Sequence, residues 1–291
     1  MTIPSLAAET AHRDDGLPDP RGLLSVTPAG PGRYVGQTAV LDRPIAYGGQ
    51  LMAQSIAAAA AHHPLAPVRQ LHTVFARAGV AGEPVDLEVE PVRAGRTVAS
   101  VTVTGTQGDR VLCRSLVLLD AGDRDVVRHQ VPLPPVPGPE GLPDAGRAAD
   151  GSTIRFADPA YDPAGTAADG EPELGVWVRW PALPDDPRVH LSATAWHTDP
   201  FVVGTAMRPH EGVGLGQAHR TLQTAVLSHT LTFHSDPRAD DWLLVWQRST
   251  HAGSGRVHGH GEVFARDGAH VASFTQLALV REAAPVAGGV R

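Results

Sequence analysis

The sequence predicts an α+β protein that repeats one plan twice, a buried helix followed by a run of antiparallel strands. Three observations carry this. Residues 72–119, "HTVFARAG…VDLEVEPVRAGRTVASVTVTGTQGDRVLCRSLVLL", are echoed weakly by 229–280, "HTLTFHSD…WLLVWQRSTHAGSGRVHGHGEVFARDGAHVASFTQLALV". Both copies open on His-Thr and pass through a strand-like run to a turn, "RAGR" or "HAGSGR". A strand follows, then a second turn at Gly108-Asp109 or Asp267-Gly268, then a last apolar strand. Alternation of period two between Gly/Asp turns is the pattern of an antiparallel meander. The unit is too long for a solenoid repeat and occurs only twice, which points to duplication of a small domain.

Taken in order, residues 1–20 read as a flexible tail with no apolar stretch of signal-peptide length. The first half is expected over 21–120. Its helix is "GGQLMAQSIAAAAAHHP", about 49–63, where alanine on every face implies burial. Pro64 stops it, and His62 and His63 suit its negative end. Residues 121–172 are rich in Pro, Gly and Asp, a composition that buries too little surface to order itself and reads as a linker. "STIRF" at 152–156 is a candidate anchored strand within it, and "ELGVWVRW" marks the return of order. The second half is expected over 173–283, with a tail at 284–291. Its helix is predicted at 200–207, with Asp199 as N-cap and Pro200 in the first helical position, where a missing N–H costs nothing.

Composition excludes several classes. A hydrophobic share of 42% supplies a core and argues against global disorder. Net charge −7 without a basic block argues against a nucleic-acid partner. No run of 18 apolar residues occurs, so no membrane partner is expected and a cytoplasmic location is. The single cysteine, Cys113, reads as core filler. His258 and His260 share a strand face without a further ligand in view, "GVGLG" at 212–216 lacks the strand–turn–helix context of a nucleotide loop, and no GxSxG elbow occurs. No metal and no cofactor are expected.

A helix wrapped by an antiparallel sheet, twice in one chain, is the plan of a double hotdog. In detail the sequence resembles the acyl-CoA thioesterase II (TesB-like) family. The resemblance rests on "YGGQLMAQS" (47–55), "QLHTVFARAG" (70–79), "VWVRWPALPDDPRVH" (176–190), "HTDPFVVGTAMRPHEG" (197–212), "SHTLTFH" (228–234), "AGSGRVHGHGEVFARDG" (252–268) and "HVASFTQLALVR" (270–281). It implies hydrolysis of acyl-CoA without a covalent intermediate, by a water held between an Asp, a Gln and a Thr or Ser. The Asp falls on Asp199 and the Gln on Gln276. The hydroxyl position falls on Val226, a departure from the pattern.

The residues themselves admit these roles. A carboxylate can take a proton from water, and free N–H groups at a helix start can hold an oxyanion. Gly48 and Gly49 are candidates for close ligand approach, with a tight turn as the alternative. Gln276, on a strand face with Ala272, Phe274, Ala278 and Val280, is either a core hydrogen-bonding group or a water holder. Alternation along 224–234 sets Thr224, Val226, Ser228, Thr230 and Thr232 on one face, so Ser228 or Thr224 could replace the missing hydroxyl. His72 and His229 hold matching places in the repeat, which fits duplicated structure better than catalysis. His72 joins Gly48 and Gly49 as a substrate-binding candidate. The expectation is an acyl-CoA thioesterase acting on acyl-CoA or a related acyl thioester, as a homo-oligomer. The alternative is a non-catalytic acyl-thioester binder with a degenerate site; a hotdog hydratase lacks its Asp/His signature here.

Overall fold

Strand propensity and helix caps together produce one continuous sheet with helices on one face. The computed structural model describes residues 19–283 except 42, 146, 147 and 182; of the expected tails, only residues 19 and 20 fall within it. In chain order the elements are α1 (Pro20–Leu24), β1 (Thr27–Gly30), β2 (Arg33–Gly36), α2 (Gly48–His62), β3 (Val68–Phe75), β4 (Val85–Arg93), β5 (Val98–Gln107) and β6 (Arg110–Asp120). Then come β7 (Thr153–Phe156), β8 (Glu173–Arg179), α3 (Pro187–Thr198), α4 (Val202–Met207), β9 (Leu222–Phe233), β10 (Leu243–Gly253), β11 (Arg256–Ala265) and β12 (His270–Glu282).

All twelve strands form one antiparallel sheet, ordered β1-β2-β4-β5-β6-β3-β9-β12-β11-β10-β8-β7. Counted outward from the central β3–β9 pair, the two halves run 3-6-5-4-2-1 and 9-12-11-10-8-7. Each half is therefore a hotdog, and the chain is a double hotdog of the α+β class. One core fills the space between the helices and the inner sheet face, with Met52, Ile56, Leu71, Leu119, Leu191, Leu231 and Phe274 among its members. No helix among the described residues is long and apolar enough to cross a membrane.

Helix α2 lies where the alanine-rich stretch predicts it and is buried along most of its length. The second half differs from expectation. Its main helix is α3, where Asp186 caps by accepting the Arg188 N–H at 3.0 Å and Pro187 opens the first turn. The sequence holds two Asp-Pro pairs, at 186–187 and 199–200, and the first is the helix start. Asp199 is instead the C-terminal cap of α3, and α4 is a single short helix with Phe201 at its cap. Helix α3 packs on α2, with Ser192 Oγ donating to the Ala53 carbonyl at 3.0 Å.

Residues 121–172 are also more ordered than their composition suggests, because they borrow a surface. Val136 and Leu142 lie on the outer sheet face against Trp177, Trp242, Leu244 and Phe264. The Trp177 indole donates to the Pro137 carbonyl at 2.9 Å. The short strand expected at 152–156 forms as β7 and pairs with β8. Asp150 enters the core outright: its Oδ2 accepts the Trp196 indole N–H at 2.6 Å and its carbonyl accepts that of Trp180 at 3.0 Å.

Candidate active site

Two glycines open α2, and what approaches them defines the site. The Gly49 N–H donates to Asp199 Oδ2 at 3.1 Å. A Cβ at Gly48 would lie 3.2 Å from that oxygen, and one at Gly49 would lie 2.7 Å from the Trp196 carbonyl. Gly49 is thus required for α3 to cross here, and a side chain at Gly48 would crowd the carboxylate at the helix end. Asp199 does cap a helix, but it is α2 of the other half. Tyr47, just before the glycines, fixes the crossing by donating from its hydroxyl to the Trp196 carbonyl at 2.8 Å.

Asp199 is 6% exposed, and its Oδ1 has no hydrogen-bond partner among the described residues. Burial, opposed by the Gly49 hydrogen bond, pushes its carboxyl up from 3.8 to about 7. A carboxylate with that affinity for protons exchanges one near neutral pH.

Gln276 projects inward from β12 and is 1% exposed. Its Oε1 meets His229 Nδ1 at 3.0 Å, while its Nε2 has no partner among the described residues. His229 Nε2 meets Thr198 Oγ1 at 3.1 Å, and Thr198 immediately precedes Asp199. A chain of buried groups, Thr198, His229 and Gln276, therefore connects the residue beside the carboxylate to the amide. It leaves one free acceptor, Asp199 Oδ1, and one free donor group, Gln276 Nε2. Buried polar atoms without partners are rare in folded proteins, and such a pair suits a water or a polar ligand. Burial pushes His229 down to about 4, so its ring is neutral in ordinary buffers.

The candidate hydroxyls lie elsewhere. On β9 the pairing shifts at Leu227, between Ser228↔Leu277 and Val226↔Ala278. This bulge turns His229, Leu231 and Phe233 inward. Ser228, Thr230 and Thr232 are carried to the outer face. The single face expected for 224–232 is therefore split. Thr224 is buried but pairs opposite Val280 and contacts His219 Nε2 at 3.2 Å, away from Gln276. Val226 stands opposite Ala278. The hydroxyl beside Asp199 is that of Thr198, which alternation on β9 could not reveal because it belongs to α3.

His72 also departs from expectation. Strands β3 and β9 pair as His72↔Thr230 and Thr73↔His229, and the matching bulges at Val68/Gln70 and Val226/Ser228 make Leu71 the structural counterpart of His229. The sequence echo is one residue out of register, and one residue flips the face. His72 is exposed on the outer face, with Nδ1 2.8 Å from Thr230 Oγ1. Of the predicted residues, the structure brings Asp199 against Gly48 and Gly49 and links Gln276 through His229 to Thr198, the neighbour of Asp199; it sets Ser228, Thr224 and His72 apart.

His258 contacts Thr250 Oγ1 at 2.9 Å rather than a second ligand. The histidine cluster that does gather is His234, Glu262 and His270, whose potential ligand atoms lie within 4.8 Å of one another. Its members are already partnered, His270 Nε2 with Glu262 Oε2 at 2.7 Å and His234 Nε2 with Ser273 Oγ at 2.5 Å.

Comparison with known proteins matches residues 41–119 to the acyl-CoA thioesterase N-terminal domain and residues 128–280 to the acyl-CoA thioesterase C-terminal domain. Acyl-coenzyme A thioesterase 8 of Homo sapiens is 26% identical over 260 residues, covering 81% of this chain and 80% of that protein. Acyl-CoA thioesterase 2 of Haemophilus influenzae is 24% identical, covering 81% of this chain and 87% of its own length. Among solved structures, an acyl-CoA thioesterase II from Mycobacterium marinum superposes with a TM-score of 0.77 at 30% identity, over 91% of this chain and 99% of that one.

Proposed function

Because the chain belongs to the acyl-CoA thioesterase family, we propose that it hydrolyses acyl-CoA thioesters with a water held between Asp199 and Gln276. The observation that carries the reading is that, among the buried side-chain atoms without a partner, Asp199 Oδ1 and Gln276 Nε2 stand at the two ends of the chain through Thr198 and His229. A water needs an acceptor for the proton it will lose and a donor to fix its oxygen, and these two atoms are of those kinds. In the reaction the water oxygen bonds to the thioester carbon and its proton passes to Asp199. The carbonyl oxygen, now negative, is stabilised by the N-terminus of α2 at Gly48. Collapse breaks the carbon–sulfur bond, and the leaving thiolate takes the proton back from Asp199. No covalent enzyme intermediate and no cofactor enter this scheme.

The homo-oligomeric expectation is supported by the outer face near the sheet centre, where Val74, Leu116 and Leu118 are exposed.

The test is free thiol release from a panel of acyl-CoAs by wild type and Gln276→Leu. Wild type should turn over at least one of them. Gln276→Leu should lose about a hundredfold or more in kcat, with KM little changed, because the amide holds water and not substrate. Tight binding of acyl-CoA without release would establish a binding protein instead.

A further inference from the structure

The inner face at the centre of the sheet carries one polar row whose two ends differ. Across the four central strands, β6, β3, β9 and β12, the inward positions in register are Ser115, Thr73, His229 and Gln276. The matching bulges at Val68/Gln70 and at Val226/Ser228 make Leu71 and Val117 the first-half counterparts of His229 and Gln276, so the polar pair of the second half replaces an apolar pair of the first. In the first half, Thr73 Oγ1 meets Ser115 Oγ at 2.8 Å, Ser115 Oγ donates to Ser55 Oγ at 3.3 Å, and Ser55 Oγ donates to the Leu51 carbonyl at 2.8 Å. That chain is closed, and none of its side-chain atoms is left without a partner. In the second half a helix hydroxyl again meets the row, Thr198 on His229, but the chain ends on the free Nε2 of Gln276.

We infer that His229 is a positioning residue, which holds the Gln276 amide with its NH2 group turned toward the water-binding position. The inference rests on the proposed water-holding role of Gln276. A primary amide can rotate to present either its oxygen or its nitrogen, and only the nitrogen donates. The Gln276 oxygen is occupied by His229 Nδ1, so Nδ1 must carry the proton. The ring is neutral, which leaves Nε2 as an acceptor facing Thr198 Oγ1 at 3.1 Å, a hydroxyl whose single proton the Ala195 carbonyl also attracts at 2.9 Å. The ring is itself held by stacking on Phe274, with centroids 5.4 Å apart and planes at 12°. His229 touches neither substrate nor water in this reading; it removes one of the two amide orientations, the unproductive one.

The δ and ε nitrogens can be separated by substitution. His229→Asn retains a donor near the Nδ1 position, whereas His229→Gln reaches toward the Nε2 position and abandons Gln276. His229→Asn should keep kcat within a few-fold of wild type. His229→Gln should lose about tenfold or more in kcat at nearly unchanged KM, as expected for a misoriented group. Wild-type kcat in His229→Gln, or equal losses in both variants, would overturn the inference. Gln276→Leu, measured beside them, separates the two levels. If it is as fast as wild type, the water-holding reading fails and takes this inference with it. If it is slow while His229→Gln is fast, only the role of His229 fails. Should the Gln variant not fold, nitrogen-15 NMR of the wild-type imidazole decides: a protonated Nδ1 with a bare Nε2 is expected, and the opposite tautomer refutes the arrangement.

Discussion

Asp199→Asn preserves the size of the side chain and an acceptor for the Gly49 N–H while removing the charge. Its effect on stability follows from the raised carboxyl. Burial lifts that group from 3.8 to about 7, and a rise of this size corresponds to about 4 kcal/mol. Between about pH 4 and pH 7 the unfolded chain has lost this proton while the folded chain keeps it. Stability therefore falls as pH rises across that window and levels off above it. The Asn variant has no such term. Against the gain stands its NH2 group, which takes the place of Oδ1 and is left without a partner, a cost of about 1–2 kcal/mol. The net expectation is that Asp199→Asn is more stable than wild type by about 2 kcal/mol above pH 7, or roughly 4 °C in Tm.

Activity should move the other way. A base must be ionised, so wild-type turnover should rise with pH through about 7 and then hold steady. Asp199→Asn should be slower by about a hundredfold or more, the usual scale for acid–base groups. The assays are urea unfolding and thiol release, both followed from pH 4 to pH 9. The reasoning is refuted if the stability difference does not grow between pH 4 and 7, or if the stabilised variant hydrolyses acyl-CoA at the wild-type rate. The first result would mean that Asp199 is ionised without penalty. The second would leave it as a cap for α2 and nothing more.

Two further substitutions test what the geometry sets apart and what it joins. Ser228→Ala and Thr224→Ala should each leave kcat within about twofold of wild type, because Ser228 faces outward and Thr224 pairs four residues beyond Gln276 on the ladder, about 13 Å away. A tenfold loss in thiol release by either would restore a strand hydroxyl to the site. Asp150→Ala should destabilise by about 2–3 kcal/mol, since it strands the buried indole N–H of Trp196. Urea unfolding checks this, and an unchanged midpoint would show that residues 121–172 rest on the second half without contributing to its core.

Periodicity and composition were enough for the plan of the fold. Alanine over several turns bounded by Pro64 leaves little alternative to a buried helix, and α2 lies within one residue of expectation at each end. Alternating strands between Gly/Asp turns gave the meanders. What failed was choosing between equal local signals. Asp186-Pro187 and Asp199-Pro200 are the same helix-start signal, and only packing of α3 on α2 selects the first. The Pro-rich stretch looked unable to order itself because its partner surface, the outer face bearing Trp177, Trp242 and Phe264, is supplied by strands distant in the chain.

The site was legible as a list and not as an arrangement. Asp199 and Gln276 stood out as polar residues among apolar neighbours, which is a signal of local composition. His229 was hidden by the very repeat that revealed the fold. Aligning the two His-Thr pairs makes His72 and His229 look equivalent, and equivalence suggests structure. The register makes buried Leu71 the true counterpart, and an exposed His72 then says nothing about a buried His229. Duplication first gives both halves the same row of positions, and function is free to alter only one. The hydroxyls of Thr73, Ser115 and Ser55, bonded to one another, have no polar atom left to offer a ligand. The half whose row ends on a bare amide, with a protonatable carboxyl against the opposite helix, retains the unsatisfied groups that chemistry needs. In a fused dimer of this kind, the place where the two-fold relation breaks is the place to look for the reaction.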